Sequence, residues 1–261
     1  MEILTGLFEG ERRQLTYPQT ESRQKHYFFE RDRLALLIFS IGELLSQSQL
    51  TVYLAIAYLD NLIKLKFTKA NEELTAVVCF LIASKFNEVD DNIPKIRQLI
   101  KAYSYFSQHK LSKEEILDAE VHICQVFAWN LDCIVPSQFI DNLLEQGIIF
   151  TSDNPNQDQT IAKVKSDLSQ LISCAMKSGQ FNAEFRASEI AFACVMCARL
   201  LHGIEWNKKV FEHMWEKAGM TGIDLFYSRV VLCFNFFREM ANADSKMTPT
   251  LNKVQTVSPP E

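Results

Sequence analysis

Residues 80–89 read FLIASKFNEV, and Lys85 stands near the end of a run whose other members are almost all apolar or small. Reading back from Lys85, the residues Val77, Val78, Leu81 and Ile82 cover most sides of a helix, which is the pattern of a helix buried inside a domain. An ammonium group there needs a partner or a route to water, because a lone charge in a dry setting costs several kcal/mol.

A second charge of this kind lies downstream. LSKEEILDAEVHICQVFAWNL (111–131) carries Ser112 with Glu115 three residues later, a capping-box pattern that predicts a helix over about 112–130. Ile116, Ile123, Phe127 and Leu131 follow at helical spacing, and Glu120 falls inside that stripe. Two opposite charges in two apolar stripes are explained if they are partners. The alternative is that each sits at a stripe edge and reaches water along its aliphatic stem. Asp60, four after Ile56 and three before Ile63, poses the same question; Arg31, ahead of the first long apolar stretch, is its expected structural ion-pair partner.

The 261 residues are 48% hydrophobic and 23% charged, which leaves no difficulty in burying a core. Only 8 glycines and 7 prolines occur, which argues against a turn-rich β protein and against glycine-looped nucleotide enzymes. The formal charge of -5, with no Lys/Arg-rich block, lacks the footprint of a duplex-binding protein. Seven cysteines at irregular spacing read as reduced intracellular thiols. MEILTGLFEGERR is too short and acidic for a signal peptide, and no apolar run nears a membrane span. The expectation is a soluble intracellular protein, in nucleus or cytoplasm or both, with no membrane or nucleic-acid partner.

Helical patterns cover about 19–29, 31–48, 50–67, 71–87, 94–106, 112–130, 136–147, 160–178, 186–202, 206–218 and 222–241, and no segment reads as a strand. A break is expected at Tyr17-Pro18, a loop at 151–160 and a disordered tail from about 243. AVVCFLIA (76–83) and AFACVMCA (191–198) share Ala-x-x-Cys-x-x-x-Ala, a faint repeat that suggests two similar helical lobes.

Ala83-Ser84-Lys85-Phe86-Asn87-Glu88 fits an A-S-K-[FY]-x-E pattern, and LAIAYLDNLI (54–63) an L-A-x-x-Y-x-D-x-x-[LF] pattern. AEVHICQVFAWNLDCIVPSQFI (119–140) carries a W-N-L with a downstream proline. With their spacing, these blocks resemble the cyclin family over roughly residues 20–240. SKFNEVDDNIPKIRQL (84–99) is similar to J-type cyclins, and the W-N-L segment to D-types. The resemblance implies an all-α fold of two cyclin-box lobes of about five helices each, plus a short N-terminal helix. The expected division is an N-terminal arm and short helix over 1–29, an N-terminal cyclin box over 30–135, a C-terminal cyclin-like lobe over 136–242 and a disordered tail over 243–261.

The resemblance also implies that Lys85 and Glu120 pair at the surface receiving a kinase's regulatory helix. Ile82, Phe86, Cys124, Trp129 and Leu131 would be the apolar surround, with Glu88 in the same binding set. The implied function is that of a regulatory subunit forming a heterodimer with a cyclin-dependent Ser/Thr kinase, activating it towards protein substrates in cell-cycle control. No catalytic residue, cofactor or metal is expected; G-x-G-x-x-G, P-loop, H-R-D and D-F-G motifs are all missing. Two rival readings are a cyclin-fold scaffold that activates nothing and a cyclin-fold nucleic-acid-binding transcription factor. One departure stands out: where many cell-cycle cyclins carry M-R-A-I-L and a tryptophan, this chain has Glu30-Arg31-Asp32-Arg33-Leu34 and Leu37. Recognition of R-x-L substrate peptides is therefore expected to be weak.

Other signals carry less. Cys194 and Cys197 form a C-x-x-C inside a helix with no second ligand pair, and the five histidines show no ligand spacing. Arg12-Arg13-Gln14-Leu15 fits a minimal R-x-x-L degron, and Thr248-Pro249 and Ser258-Pro259 are proline-directed phosphorylation candidates. Trp129, Trp206 and Trp215 read as core or interface aromatics.

Overall fold

The computed structural model describes residues 2–13, 24–65, 71–145, 157–204, 212 and 223–243. Among them every regular element is helical: α1 (Glu2–Arg13), α2 (Gln24–Leu44), α3 (Gln49–Lys64), α4 (Glu72–Asn87), α5 (Ile96–Tyr103), α6 (Lys113–Val126), α7 (Pro136–Glu145), α8 (Gln157–Lys177), α9 (Gly179–Glu184), α10 (Ala187–Leu201) and α11 (Ile223–Ala243), with a short 3-10 turn at Asp90–Asn92. The chain divides into two compact units. One comprises Gln14–Val135 with Met176–Gln180; the other comprises Met1–Arg13, Pro136–Ala175 and Phe181–Glu261.

In the first unit α4 is the central helix, packed against α2, α3, α5 and α6. That position explains its composition, since Leu74 through Ser84 are buried on every side. Asn71 caps its N-terminus by accepting the Leu74 N–H at 3.0 Å, and Glu72 and Glu73 complement the helix dipole in the first turn. Glycine at 42 permits α2 to approach α3, because a Cβ there would overlap the Val52 side chain. In the second unit α10 is the buried helix, packed against α1, α7 and α11, with Ser188 through Arg199 enclosed. The two octapeptides sharing Ala-x-x-Cys-x-x-x-Ala thus lie in the most enclosed helix of each unit.

Several elements differ from the sequence reading. Residues 31–44 do not start a new helix; α2 runs through them from Gln24. The charges at 30–33 look like a boundary but are compatible with a helix interior, because Glu30 and Arg33 pair across one turn at 3.0 Å and Arg31 turns inward. The segment expected as an arm contains α1, whose Leu4 and Phe8 are buried and whose Phe8 ring meets Phe139 and Phe226 edge-on. Glu11, next on that face, is buried too: its carboxylate accepts the Ser188 N–H at 2.7 Å and hydroxyl at 2.6 Å, closing the N-terminal turn of α10. Burial pushes this carboxyl above its ordinary range despite those hydrogen bonds. α9 was not anticipated, and residues 157–160 of the expected loop are helical. The Tyr17-Pro18 break, the start of the helix at 19–29, most of that at 206–218, Gln14 and Leu15 of the R-x-x-L segment, Trp206, Trp215 and the tail beyond 243 lie outside the described residues.

Candidate partner-binding surface

The surface is built where α4 leaves the core. Through Ser84 the helix is enclosed; Lys85 and Phe86 are the first exposed residues of its last turn. Facing it is α6, whose register is fixed by a reciprocal cap: the Glu115 N–H donates to Ser112 Oγ at 3.1 Å and the Ser112 N–H to Glu115 Oε2 at 2.8 Å. With Ile116, Ala119 and Ile123 turned inward, Glu120 projects at the border of the buried face. Lys85 Nζ lies 2.5 Å from Glu120 Oε1, with the lysine side chain 45% exposed and the glutamate 15%. Only one end of this pair is enclosed, so the carboxylate orients an ammonium whose other donors face solvent. Cys124 sits against both charges: burial and Glu120 push its thiol up, and Lys85 opposes them.

The apolar residues around the pair divide by burial. Phe86 is 53% exposed and Trp129 67%, and both are accessible to a partner. Ile82 and Cys124, expected in the same surround, are 2% and 5% exposed; they underlie the surface as core and present almost no area to a partner. Leu131 is half-buried, and its carbonyl accepts the Tyr58 hydroxyl at 2.8 Å. Three exposed apolar residues were missed by the sequence reading: Val89, Leu117 and Val121. Leu117 and Val121 form an i, i+4 stripe beside the one that contains Glu120, so the signal was present in the sequence. Trp129 is held out by an unusual turn. Ala128 and Trp129 both have positive φ (48° and 61°), and the Trp129 N–H returns to the Cys124 carbonyl at 2.8 Å. For non-glycine residues this conformation stores about 1–2 kcal/mol each.

Glu88, expected in the binding set, is engaged within the unit. One carboxylate oxygen accepts the Ser48 N–H at 2.9 Å and the Thr51 hydroxyl, at the N-terminus of α3. Burial raises this carboxyl, but the hydrogen bonds from Thr51 and Ser48 outweigh it and hold the group below its ordinary range. Arg31 and Asp60 form a two-pronged pair, Nε to Oδ1 and NH2 to Oδ2 both at 2.8 Å, with side chains 0% and 7% exposed. Arg31 also donates to the Met176 carbonyl at 2.8 Å. Where the M-R-A-I-L patch would lie, Arg33 bridges Glu30 and Glu73, and Glu73 also accepts from Tyr103 and Ser107. Cys194 and Cys197 are buried core thiols, pushed up by burial. Among the described residues no cluster of His, Cys, Asp and Glu could hold a metal, and no helix is long and apolar enough to cross a membrane.

Among the described residues the chain is thus all-helical, in two units each built around one enclosed helix, with a half-exposed Lys–Glu pair at the rim of the first. The cyclin N-terminal domain family matches residues 2–132. The chain belongs to the cyclin family and is J-like within it. It is 29% identical over 157 residues to a cyclin-J-like protein of Mus musculus, covering 57% of this chain and 40% of that protein. It is 30% identical over 104 residues to cyclin-J of Homo sapiens, covering 40% and 27%. A cyclin-D of Ostreococcus tauri is 25% identical over 216 residues, covering 78% and 56%. The chain thus spans less than two thirds of the length of each of these relatives. In fold it is similar to a viral cyclin from herpesvirus saimiri, with TM-score 0.60 and 14% identity over 88% of this chain and 94% of that one. A chain of the CAK complex of Chaetomium thermophilum bound to ATP-gamma-S also matches, with TM-score 0.60, 14% identity and coverage of 97% and 79%. Cyclin membership implies a regulatory rather than a catalytic role.

Proposed function

We propose that this chain is the regulatory subunit of a cyclin-dependent Ser/Thr protein kinase, binding the catalytic subunit as a heterodimer inside the cell and activating it in cell-cycle control. The observation that carries the reading is the Lys85–Glu120 pair, half open to solvent between the exposed Phe86 of α4 and the Leu117 and Val121 stripe of α6. An ammonium oriented by a carboxylate can donate to backbone carbonyls at a partner helix's end with little further loss of side-chain freedom, and carbonyl acceptors leave the partner's side chains free to vary. The first lobe, over 30–135, supplies this surface, and residues 136–242 form the second lobe. Activation follows if the surface fits only the kinase conformation in which the regulatory helix is swung inward; the gain is bounded by the difference in affinity for the two kinase states. Inclusion of a structural neighbour in the CAK complex supports a kinase partner.

Co-purification of the tagged chain, followed by a Ser/Thr kinase assay on the captured material, tests the proposal. Kinase activity that is retained by wild type and lost with Lys85→Glu is the expected result. A captured kinase whose activity the chain does not raise would indicate a scaffold, and capture of no kinase would overturn the reading.

A further inference from the structure

The last turn of α4 carries two exposed groups of the candidate surface, Lys85 and Phe86, yet it lacks a glycine-type stop. Glu88, the residue closing the helix, is extended (φ -88°, ψ 157°), and its N–H returns to the Ser84 carbonyl. A turn closed in this way, emerging from the core with its side chains in water, tends to fray. Instead it is tied to the beginning of α3 by two consecutive side chains. Asn87 Nδ2 donates to Ser48 Oγ at 3.1 Å and to Thr51 Oγ1 at 2.9 Å. Glu88 accepts the Ser48 N–H at 2.9 Å and the Thr51 hydroxyl. Ser48 Oγ in turn caps α3 by accepting the Thr51 N–H at 3.2 Å. The four residues form a closed ring in which a carboxylate lies at the positive end of α3, where an anion is favoured.

We infer that Asn87 and Glu88 are positioning residues, which latch the last turn of α4 to the N-terminus of α3 and so hold Lys85 and Phe86 in the geometry a partner meets. This rests on the proposed kinase-binding reading for its consequence, though not for the latch itself. Glu88 acts through α3 and does not touch the partner. Thr51, enclosed at 0% exposure, reaches the same ring from the side away from solvent.

That placement supplies the test. Glu88→Ala and Thr51→Val are compared with wild type by hydrogen exchange and by kinase binding. Amides of 85–89 are expected to exchange at least tenfold faster in both variants, while those of 77–83 keep their protection and show that the fold is intact. Both variants are expected to weaken kinase association about tenfold, and the double variant no more than either alone. If exchange at 85–89 is unchanged, the latch does not exist. If Thr51→Val speeds exchange but binds as wild type while Glu88→Ala does not, Glu88 is a direct contact and the inference is overturned. Wild-type protein that captures no kinase would instead sink the functional proposal, and the exchange measurements would still decide the latch.

Discussion

Replacing Lys85 by alanine separates folding from binding, because the ion pair is placed to contribute to one and hardly to the other. Within the chain the pair is half open, with the lysine side chain 45% exposed. Ion pairs so exposed contribute about 0–1 kcal/mol. Lys85→Ala should therefore lower the melting temperature by no more than about 4 °C, since 1 kcal/mol moves a protein of this size by roughly 2–4 °C. In the proposed complex the same ammonium would be a desolvated donor, and removing one partner of a buried charged hydrogen bond costs about 2–5 kcal/mol. At 1.4 kcal/mol per factor of ten, the dissociation constant should rise roughly 30- to 4,000-fold. Titration of the purified kinase subunit by calorimetry, beside thermal melts of each variant, reads both quantities. Glu120→Ala should weaken binding less, because it removes the orienting group and leaves the donor. A Lys85→Ala affinity within threefold of wild type would refute the placement of the pair in the interface. A large loss of melting temperature would show instead that the pair supports the fold.

Three further outcomes follow from the same structure. Asp60→Ala leaves the Arg31 guanidinium enclosed without its two-pronged partner and should destabilise by about 3–5 kcal/mol, a fall of roughly 6–20 °C in thermal melts; a loss below about 1 kcal/mol would show that the pair is dispensable. Glu11 has a folded pKa above its ordinary 4.5, so the folded state holds the proton more tightly than the unfolded one, and stability falls as pH rises from 4.5 through the folded value. Glu11→Gln removes that term, so its stability advantage over wild type should grow across this window in melts from pH 4.5 to 7.5; a pH-independent difference would refute the assignment. Ala128→Gly should raise stability by roughly 0.5–1 kcal/mol, since relief of the left-handed strain exceeds the entropy glycine adds to the unfolded chain; a lower melting temperature would contradict it.

Much of the fold was legible because each central helix declares itself by being apolar on every side, as 76–83 and 191–198 do. The Ser112/Glu115 cap set the start of α6 correctly. What escaped did so for identifiable reasons. α1 was hidden because Glu9, Glu11, Arg12 and Arg13 give the segment the look of a solvated arm, although Leu4, Phe8 and Glu11 share one face. The charges at 30–33 imitate a helix boundary only while their partners are unknown. The intramolecular engagement of Glu88 was not legible because its partners, Ser48 and Thr51, lie at the start of another helix some forty residues earlier.

The two ion pairs show where sequence periodicity stops being informative. Asp60 and Glu120 occupy the same pattern, a carboxylate four after one isoleucine and three before another. Periodicity fixes the face of its own helix on which a residue lies, but not whether a neighbouring element covers that face. Asp60 faces α2, and its pair with Arg31 is enclosed, the two side chains being 7% and 0% exposed. Glu120 faces the end of α4, where the covering helix stops at Asn87 and leaves the ammonium half open. The same chemistry therefore yields an enclosed structural brace in one place and a half-open pair in the other, which is the one proposed to meet a partner. The difference lies in what surrounds the cation: Arg31 is enclosed and also donates to the Met176 carbonyl, whereas Lys85 is the first exposed residue in the last turn of α4.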